Sequence, residues 1–129
     1  MSGEQAKPEG KGLCNLEFLL VNLGRNRVTA ERLIELYLQN YPVLCQRLQH
    51  AVQQDDRTAL RDALHDIRSS CVLFSGQECV DQARTFEAAV RDESQTVKRE
   101  EWMLLTASLC NCLQRMAEEL KAYLDADAR

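Results

Sequence analysis

The stretch LRDALHDIRSSCVLFSG, residues 60–76, decides how the chain folds. Leu60, Ala63, Leu64, Ile67, Cys71 and Phe74 recur at helical spacing and give it one continuous apolar face. The spacing predicts a helix that opens at Asp55 or Asp56, either of which is a suitable N-cap. His65 stands on the other side. Advancing about 100° per residue from it, Leu60, Ile67 and Phe74 lie roughly 140° to 180° away, whereas Arg61, Arg68, Ser69 and Val72 fall within about 60°. An imidazole therefore faces solvent near mid-helix, between two arginines and beside a small hydroxyl residue.

The same periodicity repeats on both sides. Upstream, a helix from about Thr29 to Gln54 carries Ile34, Tyr37, Tyr41, Leu44, Leu48 and Val52. Thr29 is its expected cap, Val28 and Leu33 a hydrophobic staple, and Pro42 a kink where one hydrogen bond is lost. Before it, NLEFLLVNLG (15–24) opens on Asn15 as cap, stops at Gly24, and sets Leu16, Leu19, Leu20 and Leu23 on one face. Downstream, Ser75-Gly76-Gln77-Glu78 reads as an S-x-x-E capping box for a helix with Cys79, Ala83, Phe86 and Val90 inside. Past the polar RDESQT, a last helix of roughly Val97 to Asp125 bears a seam of Trp102, Leu105, Leu109, Cys112, Leu113, Met116, Leu120 and Leu124. Its length is on the order of 40 Å. Four long amphipathic helices with short links predict an all-α fold, an antiparallel four-helix bundle with a short additional N-terminal helix at one end. The bundle takes residues 13–127, and residues 1–12 form a flexible polar tail.

Composition narrows the function. The 129 residues suit one domain, and two prolines and five glycines leave little punctuation for strands. Twenty acidic and 16 basic residues give a net charge of −4, without the basic excess of a nucleic-acid binder. No apolar run spans a bilayer and MSGEQAKPEGKG lacks a secretory core, so a cytoplasmic protein is expected. Reduced thiols follow for the six cysteines, with Cys45, Cys71, Cys79 and Cys112 on or beside packing faces. Cys110-Asn111-Cys112 resembles a metal motif, yet on a helix its thiols diverge by about 200°, so no metal site is expected.

His65 taken alone is compatible with plain solvation, as is His50. A Ser69-His65 pair lacks an acidic orienter and an oxyanion arrangement, and no second histidine at i+4 completes a helical metal pair. His65-Asp66-Ile67-Arg68-Ser69-Ser70, however, resembles the H-x-[LI]-K-G-[SA] signature of histidine-containing phosphotransfer (HPt) domains. The proline-bearing helix that leads through an acidic turn into the histidine helix is similar to that family, as is Phe86-Glu87 in the following helix. The likeness is close over residues 28–92, and the last helix matches in length and periodicity. The chain departs from the signature in Arg68 for lysine, Ser69 for glycine, and Ser75 where a glycine usually ends the helix.

The resemblance implies a phosphorelay intermediate. His65 would take a phosphoryl group from a receiver-domain aspartyl phosphate through Nε2 and pass it to another receiver, the partners being a hybrid histidine kinase and a response regulator. Arg68 and Arg61 would neutralise phosphoryl oxygens, Ser69 would donate a hydrogen bond or simply leave room, and Glu87 would hold Nδ1–H or join two helices. Phe18, Val21 and Val72 form the expected receiver-facing patch; the alternative for Phe18 and Val21 is burial on both sides of a sandwiched first helix. The chain would have no autokinase activity and no cofactor of its own, Mg2+ arriving with the receiver. Met1 and the compact length favour a free-standing module, and a bundle that buries its own seams is most simply a monomer. A non-transferring adaptor that binds receivers is the second reading; a cysteine-based redox or metal sensor, the third, draws little support from thiols on packing faces.

Overall fold

The structure, a computed structural model, describes residues 12–92 and 99–127. Five helices follow in order: α1 (Leu16–Asn22), α2 (Arg27–Gln53), α3 (Arg57–Leu73), α4 (Gln77–Arg91) and α5 (Arg99–Asp127). Helix α3 packs between α2 and α4, and α5 packs against the same two helices, which closes a four-helix bundle. The expected apolar stripes meet inside it. Leu60, Leu64, Ile67, Phe74, Phe86, Leu109, Leu113, Met116 and Leu120 are fully buried. Tyr37 crosses this core, its ring edge against Phe74 at 5.5 Å and its hydroxyl donating to the Leu113 carbonyl at 2.8 Å. That bond satisfies the buried tyrosine hydroxyl.

The corners are minimal because one device is used three times. Gly24, Asp55 and Ser75 take the left-handed conformation, with φ of 64°, 53° and 58°. The next N–H then bonds back five residues: Arg25 to Leu20, Asp56 to Ala51, and Gly76 to Cys71. This is a Schellman ending. Asp56 and Gly76 close one helix and open the next, so α2–α3 and α3–α4 turn over with hardly any loop. Gly76 is buried, and a Cβ there would stand 2.8 Å from Met116 Sδ, so any larger residue at this corner has to displace the end of that side chain on α5.

Several sequence expectations give way. Helix α2 begins at Arg27, capped by Asn26, whose Oδ1 accepts from Thr29 N at 3.0 Å. Thr29 supplies the capped N–H instead of being the cap, and Val28 is 77% exposed, so there is no staple. Pro42 lies at an exposed position inside α2, and the helix continues through it. The Ser75 capping box does not form: the left-handed turn places Ser75 in the ending of α3, Gly76 caps α4 without a side chain, and Glu78 pairs with Arg115 on α5. Asn15 caps α1 as expected, accepting from Phe18 N, and Asp56 caps α3. The proposed tail lies outside the described residues apart from Gly12, as do most of the RDESQT link and Val97.

The expectation of six reduced cysteines is overturned by a disulfide between Cys79 and Cys112. The two thiols occupy facing core positions of α4 and α5 with Cα atoms 5.9 Å apart, inside the range a disulfide can span. Cys71 is buried, and Cys14, Cys45 and Cys110 are half-buried free thiols.

Candidate functional site

His65 sits midway along α3 and is exposed, as the stripe geometry requires. Leu64 and Ile67, its neighbours on the helix, are fully buried and fix the rotation of α3, so the imidazole has no freedom to turn inward. Arg68, one turn on, bridges from the ring to α4. Its Nη2 lies 3.4 Å from His65 Nδ1, while Nε donates to Glu87 Oε1 at 2.8 Å and Nη2 approaches Oε2 at 3.4 Å. Glu87 is only 8% exposed, the one acidic residue within the core of the described residues. A carboxylate so placed needs a partner, and the guanidinium fork provides one.

Glu87 therefore serves Arg68 and makes no bond to Nδ1–H, one of the two roles expected for it. It does join two helices, the other role. The contact also bears on the ring. A guanidinium only donates, so its approach to Nδ1 suits a ring whose Nδ1 is a free acceptor. That is the ring carrying hydrogen, or another substituent, on Nε2.

The remaining expected residues are exposed. Ser69 and Arg61 are exposed on α3, and Arg61 makes no ion pair among the described residues. Phe18, Val21 and Val72 are 52%, 51% and 54% exposed, so α1 is not sandwiched. Its leucines turn inward, with Leu19 buried and Leu16, Leu20 and Leu23 packed on the core. The start of α1 is tied down by three backbone bonds: Leu13 and Cys14 donate to Glu119 on α5, and Asn15 N donates to the Phe74 carbonyl at the end of α3. This holds the start of α1 at the end of α3.

Sequence reasoning missed two features. Arg47 of α2 reaches Asp66 at 2.8 Å, which neutralises the acid next to His65. Arg84 and Arg91, both exposed, stand one turn either side of Glu87 on α4. Their i−3 and i+4 spacing from Glu87 was the available signal. The histidine face is thus rich in guanidinium groups on a chain of net negative charge. Among the described residues no group of three or more His, Cys, Asp or Glu side chains is placed to hold a metal.

The bundle thus displays a solvent-facing histidine beside a cation braced from α4. The chain belongs to the Hpt domain family, whose model matches residues 32–125 and so takes in the last helix as well. Members of this family carry phosphoryl groups in phosphorelays and interact with the receiver domains of two-component systems. The HPT domain of the Hpt sensor hybrid histidine kinase from Shewanella has the same fold, with a TM-score of 0.73 at 15% identity. The superposition covers 88% of this chain and 95% of that one. Among curated proteins none matches the chain.

Proposed function

We propose that residues 13–127 form a phosphoryl carrier which accepts a phosphoryl group on His65 from a receiver aspartyl phosphate and returns it to a second receiver. The observation that carries this reading is the exposed His65 with Arg68 held against it by Glu87. The Nε2 lone pair attacks phosphorus as the bond to the aspartyl oxygen breaks, and the electron pair leaves with the carboxylate. The attacking neutral ring carries its hydrogen on Nδ1, and that proton passes to water once Nε2 is substituted. Nδ1 is then the acceptor that Arg68 Nη2 is placed to meet. Held by Glu87, the Arg68 charge stands beside the ring to neutralise incoming phosphoryl oxygens. Positioning and charge neutralisation dominate such loose, in-line transfers.

Exposure of His65 gives both donor and acceptor aspartates access. Arg61, Arg84 and Arg91 extend the cationic surface toward an acidic receiver site, and Phe18, Val21 and Val72 supply an apolar footing beside it. The partners on this reading are receiver domains of a hybrid histidine kinase and of a response regulator, with Mg2+ held by the receiver. The chain acts as a cytoplasmic monomer without autokinase activity; no described helix is long and apolar enough to cross a membrane.

The test mixes a phosphorylated receiver with the wild-type chain and with His65→Gln, and follows acid-labile, base-stable label. Label is expected on the wild type alone. Equal labelling of both proteins removes His65 from the mechanism, and tight receiver binding without transfer to the wild type establishes the adaptor reading instead.

A further inference from the structure

His65 stands between two charge pairs that cross from α3 to its neighbours. Advancing about 100° per residue, Asp66 leaves the helix on the flank toward α2 and Arg68 on the flank toward α4. Arg47 of α2 meets Asp66 at 2.8 Å, and Glu87 of α4 meets Arg68 at 2.8 Å. The two pairs differ in the charge they show. Toward α4 the carboxylate is nearly buried, and the charge left at the surface is the cation. Toward α2 the Arg47 and Asp66 side chains are 41% and 50% exposed, so the carboxylate is masked only while Arg47 is in place. Asp62, one turn before Asp66 on the same flank, is also exposed and lines the α2–α3 groove together with Arg47. Without Arg47, Asp62 and Asp66 present bare carboxylates next to the residue that meets an anionic phosphoryl group. An ion pair this exposed contributes little to stability, but it alters the potential that a charged partner meets on approach.

We propose that Arg47 is a positioning residue for the transfer: it cancels the Asp66 charge and so admits the anionic aspartyl phosphate of the receiver to His65. This role rests on the phosphoryl-carrier reading of His65 and adds α2 to the site. Arg47 acts through Asp66 and makes no bond to the phosphoryl group. Its effect falls on encounter, since like charge at the rim of an interface slows association and is screened by salt. Arg68 serves the reacting atoms, whereas Arg47 keeps the approach from α2 free of repulsion.

The test uses the full chain with a receiver that labels the wild type, and follows single-turnover transfer against receiver concentration at low and at high salt. Arg47→Gln is expected to raise the half-saturating concentration about fivefold at low salt, with the plateau rate unchanged. The difference disappears at about 1 M salt, where the Debye length is about 3 Å. Arg47→Lys keeps the charge and is expected to match the wild type. Asp66→Asn alone lowers the half-saturating concentration, because the Arg47 charge is then uncompensated. Combining Arg47→Gln with Asp66→Asn restores the wild-type value although the pair is gone, which a mere brace between α2 and α3 does not allow. An Arg47→Gln protein that matches the wild type at low salt overturns the assignment. So does a double variant as impaired as Arg47→Gln, or an effect that persists at high salt. If Arg47→Gln fails to fold, Asp66→Asn decides alone, and a half-saturating concentration that is unchanged or raised overturns the role. A wild type that no receiver labels overturns the carrier reading itself, and this role with it.

Discussion

Reducing the Cys79–Cys112 bridge destabilises the bundle by an amount that the enclosed chain sets. The bonded positions are separated by 33 residues, for which loop-closure arithmetic gives about 12.5 cal/mol/K of denatured-state entropy, or about 3.7 kcal/mol at 25 °C. Both sulfurs are fully buried, so the reduced thiols remain in place as small apolar groups and no cavity term is added. For 129 residues the entropy of unfolding is about 0.27 kcal/mol/K, so the melting temperature falls by about 14 °C. The assay is thermal unfolding with and without a phosphine reductant. Thiols are counted in denaturant before and after. A melting temperature that moves by less than about 3 °C although two new thiols are counted refutes the loop-closure reasoning. Two such thiols already present before reduction refute the bridge itself.

Three further outcomes test local structure. Asn26→Ala costs about 1 kcal/mol by urea unfolding, whereas Thr29→Ala costs little, since only Asn26 supplies a capping oxygen to α2. Ser75→Gly stabilises by about 1 kcal/mol in urea unfolding because φ at this position is 58°. A double-mutant cycle of Arg68→Met and Glu87→Gln yields a coupling energy of about 1–3 kcal/mol in urea titrations. A coupling near zero shows that the fork seen between α3 and α4 contributes nothing in solution.

What the amino-acid pattern discloses here follows from how local each interaction is. The seams of α3 and α5 are legible because burial selects for a period of 3.6, and the leucines that fix α3 also fix where His65 points. Asn15 is legible as a cap because it stands alone before its helix, whereas Asp55 and Asp56 both offer one and the left-handed turn at Asp55 leaves the cap to Asp56. The start of α2 is ambiguous, since Asn26 and Thr29 are both able to cap and only the backbone settles which one leads. Ser75-Gly76-Gln77-Glu78 has the residues of a capping box, yet a left-handed turn assigns Ser75 to the preceding helix. Pairings across helices are the least accessible. Cys79 with Cys112 and Glu87 with Arg68 depend on which helices become neighbours and in what register. The charge of Arg68 is visible in the sequence, but its restraint by a nearly buried carboxylate from α4 is not.

The central claim is that one ring nitrogen takes the phosphoryl group. Phosphorus–nitrogen coupling in an NMR spectrum of the isotopically labelled chain, phosphorylated by a receiver domain and kept alkaline, tests it most directly. The account predicts a single phosphorus signal coupled to Nε2 of His65. Phosphorus found on Nδ1, on His50, or on no histidine at all contradicts it.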